Sequence, residues 1–329
     1  MTARALVASL AVAAAACGSF EDPSIILDLR PIAVVVDPPE QVVDVDPDNP
    51  LAVEFEDVEV CALVADPLRR ELAWSMVACP PQRDLRCTTL DEPFLVLEPQ
   101  VTVGPLSGVS QEACATLPAG AELTAIVRST IENDSLGGFG GVDINVSVRA
   151  VPVGAPENEA IYAGKAVRFS VRLPAERVAN QNPIMTELAA QLDRGNGLEE
   201  PIALSSGGCR PGGAALVITD TVRLKLSPRP LDGAAETYVV PTFEGGSRTF
   251  TENLRYQWLA TAGSFSRGET GGPRDAAGNP ATISTEWRPP TLETGETERA
   301  IDLWVIQRDE RGGTSWLDTC VRVVPPGRT

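Results

Sequence analysis

Short runs of Val, Ile, Leu, Thr and aromatic residues recur along this chain, each closed by Gly, Pro, Asn or Asp. Some alternate apolar with polar positions, as in Val142-Asp-Ile-Asn-Val-Ser-Val148, and others run apolar, as in Ile301-Asp-Leu-Trp-Val-Ile306. Both patterns read as β-strands. The first half offers Ile32–Val36, Val58–Ala65, Leu72–Val77, Phe94–Leu97, Leu123–Val127, Val142–Val148 and Val167–Leu173. The second half offers Ala214–Ile218, Val222–Leu226, Leu254–Leu259, Ala281–Trp287, Ile301–Gln307 and Cys320–Val324. Pro and Gly, 28 of each, are spread through the chain rather than clustered. Many short strands with turn signals between them predict an all-β protein built of antiparallel sandwiches.

One place reads helically. Asn182-Pro183 supplies a cap, and Ile184, Met185, Leu188, Ala189 and Leu192 share a helical face before Gly195. The same residues serve equally as a first strand of a second domain, and propensity leaves both readings open. Strand signals stop before Ala175–Asn182 and restart after it, which makes that stretch the expected linker. The predicted organisation is a first domain over 28–175, a linker or first segment of the second over 176–204, and a second domain over 205–326.

The N-terminus carries the strongest single signal. Arg4 is followed by an apolar run from Ala5 to Ala16, too short for a bilayer-spanning helix, which needs about 20 apolar residues. A charged start, a short apolar run and small residues at its end read as a secretory signal peptide, residues 1–16. Cys17 follows at once, and the chain turns polar. Residues 17–27 then form a tether.

Beyond Cys17 there are six cysteines, an even count that reads as disulfides in an exported chain. Four lie in the first half and two in the second. Cys209–Cys320 brackets the second domain, and closing a loop of about 100 residues contributes roughly 4–5 kcal/mol in the chain-entropy model. Three pairings are open to the first four. The hairpin-sized loop Cys79-Pro-Pro-Gln-Arg-Asp-Leu-Arg-Cys87 and the strand-like setting of Cys61 favour Cys79–Cys87 with Cys61–Cys114.

Composition narrows the chemistry. The 329 residues carry 27 Lys+Arg against 45 Asp+Glu, a formal charge of -18, and contain no histidine. A serine- or cysteine-histidine relay is excluded, as are His-ligated zinc and an imidazole acid or base. Net acidity argues against nucleic acid, which requires clustered cations. Only Lys165 and Lys225 are lysines.

Ala14-Ala15-Ala16-Cys17 resembles the lipobox of bacterial lipoproteins, with Ala14 in the place of the usual Leu. The resemblance implies a diacylated Cys17 thiol, cleavage before it and acylation of the new amino terminus. Ordinary cleavage after Ala-x-Ala is the competing reading. Gly18 after the Cys resembles lipoproteins sent to the outer membrane. Tyr256-Gln-Trp-Leu-Ala-Thr-Ala-Gly-Ser-Phe265, followed by Ala281-Thr-Ile-Ser-Thr-Glu-Trp-Arg-Pro-Pro290, resembles bacterial immunoglobulin-like and PKD-like repeats. It covers about 205–325, with a looser counterpart over 28–175, and implies two tandem immunoglobulin-like sandwiches. In such sandwiches a central-strand Trp packs near an inter-sheet disulfide, and Trp74 with Cys61, or Trp258 with Cys320, would match. The opening Ile25 to Glu40 resembles the start of uncharacterised envelope lipoproteins, which implies a location and no activity.

Several residues are candidates for binding. Asp44, Asp46 and Asp48 present oxygens to Ca²⁺, against the reading of a plain Asp/Pro/Asn turn. They fail as an EF-hand, since Asn49 stands where Gly is needed and Phe55 where Glu is. No other cofactor is expected. In Glu132–Gly141 the glycines could shape a ligand rim around Phe139, against the reading of a flexible hairpin tip. Trp74, Trp258 and Trp304 lie in apolar strands and read as core, whereas Trp316 is the candidate exposed platform for a sugar. No Gly-x-Ser-x-Gly or Ser-x-x-Lys motif supports an enzyme.

The expected protein is therefore exported and lipid-anchored at the outer membrane or cell surface, binding or scaffolding without catalysis. Its expected partners are the membrane, through the anchor, and an envelope protein or glycan. A carbohydrate- or peptidoglycan-binding module and a subunit of a secretion or assembly complex are the alternatives. Strand signals start near Ile25, so the first domain is expected beside the bilayer and the second farther out.

Overall fold

The structure is a computed structural model and describes residues 22–44, 53–82, 85–88, 93–102, 108–210 and 212–327. Cys17, Asp46 and Asp48 lie outside them. The architecture is all-β with one α-helix among the described residues. The chain begins with β1 (Arg30–Asp37), β2 (Glu40–Val43), β3 (Val58–Ala65), β4 (Leu72–Cys79), β5 (Leu95–Leu97), β6 (Gln100–Thr102) and β7 (Ser110–Leu117). It continues through α1 (Ala121–Asn133), β8 (Val142–Pro152) and β9 (Ile161–Val171). These strands form two sheets, ordered β1-β3-β7-β6 and β2-β9-β8-β4-β5. Between them lies a core of Val36, Val58, Val60, Met76, Leu117, Ile144, Val146 and their neighbours.

The second set comprises β10 (Met185–Asp193), β11 (Ile202–Ala203), β12 (Leu216–Thr219), β13 (Arg223–Pro230), β14 (Thr237–Pro241) and β15 (Ser247–Thr251). It then adds β16 (Arg255–Ala260), β17 (Ser264–Phe265), β18 (Glu269–Gly271), β19 (Thr285–Arg288), β20 (Arg299–Arg308) and β21 (Thr314–Val324). Sheets β11-β10-β13-β19-β17 and β12-β21-β20-β16-β18 enclose a core around Trp258, Trp287, Leu224 and Val305, while β14 and β15 form a separate hairpin. Pairing is antiparallel except for β2 with β9 and β12 with β21. Buried indole N–H groups need acceptors, and both tryptophans have one: Thr270 Oγ1 at 2.9 Å for Trp258 and the Ala262 carbonyl at 3.2 Å for Trp287. Gly263, at φ +95°, lies against the Trp287 ring where a Cβ has no room, so the small-residue turn is set by that packing.

Several expectations need correction. Leu123–Val127 is helix, not strand: Leu123, Ile126, Val127 and Thr130 are the buried face of α1, spaced i, i+3, i+4 and i+7. Five residues rich in strand formers hid a period visible only over thirteen. The stretch from Met185 is a strand, with Leu188, Ala190 and Leu192 turned into the second core, so of the two readings left open the extended one holds. The disulfides are Cys61–Cys114, Cys79–Cys87 and Cys209–Cys320. However, Cys61 and Cys114 sit directly opposite each other on neighbouring strands of one sheet, so this bridge is not the inter-sheet bond of the immunoglobulin arrangement.

The two sandwiches are joined by a third apolar cluster. Ile32, Ala33, Leu63, Ala65 and Val109 from the first meet Leu259, Trp304 and Ile306 from the second, with Ile26 between them. The Trp304 indole donates to Ser110 Oγ at 3.1 Å. Burying a Trp and several aliphatic side chains contributes about 2 kcal/mol or more for each large one. The N-terminal segment locks into the second sandwich: Ile26 N–H donates to the Ala260 carbonyl at 2.8 Å, and Ala260 N–H to that of Ser24 at 2.9 Å. The last part of the expected tether, from Ser24 to Ile26, therefore runs along the second sandwich.

Candidate functional site

A cleft of about 440 Å³ opens between the sandwiches. Its first wall is built by β2, β9 and the loop before β8, carrying Glu40, Lys165, Arg168 and Gly140; the second is the β14 strand and the β20–β21 turn, with Tyr238, Val240, Glu310 and Arg311. Glu40 begins β2 and is buried, an unusual place for a carboxylate that is tolerated only with full pairing. It has that pairing. Arg177 Nη2 reaches Oε1 at 2.9 Å, Ser170 Oγ donates to the same oxygen at 2.7 Å, and Asn180 N–H donates to Oε2 at 3.0 Å. Arg311 Nη1 lies 3.5 Å from Oε2.

Arg311 is the hub of the second wall. It donates to Glu252 Oε1 at 2.6 Å and Glu236 Oε2 at 2.5 Å, and lies over the Tyr238 ring at 4.5 Å. Glu236 and Glu252 flank the base of the β14–β15 hairpin, so one guanidinium holds both its ends. Burial pushes the Glu252 carboxyl upward, and the Arg311 hydrogen bond opposes that shift. At the hairpin tip Phe243, 80% exposed, stacks on Phe139 with ring centroids 5.1 Å apart. The hairpin thus roofs the cleft, pinned at base and tip.

Phe139 therefore lies at the cleft rim, in an ordered turn that joins α1 to β8 rather than at a hairpin tip. Asp134 Oδ2 caps that turn from Gly138 N–H at 2.7 Å, and the Gly140 carbonyl accepts from Arg168 and Arg177 at 2.9 and 3.0 Å. Gly141, at φ +105°, presses on Ser170 and Phe169 where no Cβ fits. Trp316 is half-buried and packs on the apolar junction, so it is not an exposed sugar platform. Asp44 forms an ion pair with Arg172 at 2.8 Å. The expected linker is also a wall element, since Arg177 and buried Asn180 anchor it.

The floor of the cleft holds Lys165. Its ammonium donates to Thr314 Oγ1 at 2.7 Å. Burial and the nearby Arg308 push its pKa down to about 8, with Asp309 pulling the other way. Residues such as Glu40, Arg177 and Arg311 are missed by motif reasoning. The available signal is a lone Glu opening a strand, but its partners lie 137 and 271 positions away, and no local pattern links them.

No protein-family model matches the chain, and no curated protein does. Among solved structures, the full ectodomain (Ig1–Ig3) of mouse nectin-like molecule 4 is 12% identical, covering 91% of this chain and 66% of that one at a TM-score of 0.22. A protein of unknown function from Porphyromonas gingivalis W83 is 11% identical, covering 88% and 99% at 0.20. The C-terminal domain of the Streptococcus agalactiae AgI/II polypeptide BspA is 10% identical, covering 86% and 99% at 0.16. The chain spans just under two thirds of the first of these. At such scores the fold assignment rests on this chain's own sheets.

Proposed function

We propose that this is an exported, non-catalytic binding or scaffolding protein, held at the cell envelope by a lipid on Cys17. The observation that carries the binding reading is the construction of the cleft: two sandwiches joined through an apolar junction, with a pinned hairpin roofing a cavity between them. A two-sandwich body with a shaped cavity at its seam suits recognition, since inter-domain seams are common ligand sites. Three disulfides support export, because such bonds persist in oxidising compartments. The lipidation reading rests on the lipobox-like Ala14-Ala15-Ala16-Cys17. Asp22 lies five positions after Cys17, a reach of at most roughly 18 Å, so the anchor would keep the junction itself close to the bilayer.

Fractionation tests the anchor: Cys17→Ser should move the protein from the membrane to the soluble fraction, and its continued membrane retention would refute the lipid tether. Cross-linking on intact cells followed by mass spectrometry tests the binding role. A stoichiometric envelope protein, lost in Phe243→Asp, supports it; unchanged cross-links in that variant would remove the cleft roof from the contact surface.

A further inference from the structure

Most charges lining the cleft are paired, while Glu310 has the Asn253 amide at 3.0 Å. Glu40 answers Arg177 and Arg311, Asp143 answers Arg168 at 3.1 Å, and Glu236 and Glu252 share Arg311. Two cations also lack a charged partner, Lys165 on the lining and Arg308 behind it. Both are half-buried, and among the described residues neither has a carboxylate within ion-pair distance. Lys165 has only the neutral Thr314 hydroxyl, and Arg308 only the Gln257 amide oxygen at 2.8 Å. Arg308 lies directly opposite Thr314 in the β20–β21 register, which sets the two cations beside one hydroxyl. Asp309, the carboxylate that acts on Lys165, is committed to Asn180 and to the N–H groups of Arg311 and Gly313, and Glu269 acts on Arg308 from beyond ion-pair distance. Two neighbouring cations taken partly out of water repel each other and need a counter-charge. Of the two, Lys165 lines the open cavity of about 440 Å³, which is walled on one side by Val239, Val240 and Pro241, and Arg308 lies behind it.

We propose that the cleft floor binds a small organic anion, a carboxylate or phosphate group seated on the Lys165 ammonium beside Thr314, within the field of Arg308, with its carbon body against the apolar β14 wall. This goes beyond the scaffold reading, because it assigns a small-molecule site whether or not the roof contacts a partner.

The chain has only two lysines, and Lys225 is exposed, so it serves as an internal control. Amine acetylation of the full protein at pH 8 and constant ionic strength, mapped by mass spectrometry, reads both. Malonate or inorganic phosphate at about 10 mM should slow acetylation of Lys165 at least about fivefold and leave Lys225 unchanged. Protection by malonate alone identifies a carboxylate ligand and by phosphate alone a phosphate ligand. Protection of neither lysine, equal protection of both, or equal protection by uncharged malonamide overturns the proposal. In parallel, the anions should raise the Tm of the wild type and of Lys225→Met but not of Lys165→Met. A rise that survives in Lys165→Met rejects the site.

Discussion

One face of the β20–β21 pair carries opposite charges at its two ends. Reading along β20 gives Asp302, Trp304, Ile306 and Arg308; the residues opposite on β21 are Cys320, Asp318, Trp316 and Thr314. At the acidic end Asp302 is buried, accepts the Cys209 N–H at 2.7 Å, and has its pKa raised by burial and by Asp318. Glu112 of the first sandwich is also raised, by burial and then by Asp318 and Glu59. At the basic end Lys165 and Arg308 are both lowered, first by burial. Each end gathers like charges that oppose burial, and the apolar middle outweighs them. The junction is therefore held by hydrophobic packing, and burial works against the charged groups at its ends.

Removing the middle should have the largest effect. Trp304→Ala empties the junction and strands the Ser110 hydroxyl; a loss of about 4 kcal/mol is expected in urea unfolding. A loss under about 1 kcal/mol would transfer the holding role to the charged ends. Next comes the paired region above the basic end: Glu40→Ala leaves Arg177 and Arg311 without their shared carboxylate, and about 3–5 kcal/mol should be lost, as when one partner of a buried pair is removed.

The two ends should then show opposite pH dependences. Because its folded pKa is raised, Asp302 stabilises most below its ordinary value of 3.8, and this contribution disappears as pH rises through the folded value. Asp302→Asn keeps the acceptor for Cys209 and should raise Tm by about 2 °C at pH 7 while changing little at pH 3.5. Lys165 is lowered from 10.5 to about 8, so the folded chain resists its charge; stability should climb as pH rises from 8 toward 10.5. Lys165→Met should therefore stabilise below pH 8 and lose its advantage above pH 10. Tm measured over pH 3.5–10.5 separates the ends, and a variant pair with matching profiles would erase the contrast. The smallest effect belongs to Phe243→Ala, within about 0.5 kcal/mol, because the side chain is 80% exposed.

Most strands were legible because their apolar residues recur at a strand's spacing, and β3 matches the expected Val58–Ala65 at both ends. The helix was not, since its period emerges only over its full length and Gly120 gives no side-chain cap to mark its start. Trp304 was legible as core, yet the core it belongs to is the junction, which no single-strand pattern reveals. Trp316 read as exposed because Gly312-Gly313 and Thr314-Ser315 before it look like a turn; in fact Thr314 already opens β21 and places Trp316 on the junction face.

By itself the sequence determined the all-β class, the disulfide-bearing chain and the absence of histidine chemistry, because strand period, cysteine count and composition are local or additive properties. Only the tertiary structure decided which strand faces meet, that Glu40 gathers arginines 137 and 271 positions away, and that half-buried Lys165 lines a cleft with Arg308 behind it. Those facts depend on packing between distant segments, and burial creates their energetic meaning: the same charges in water would be nearly free of consequence.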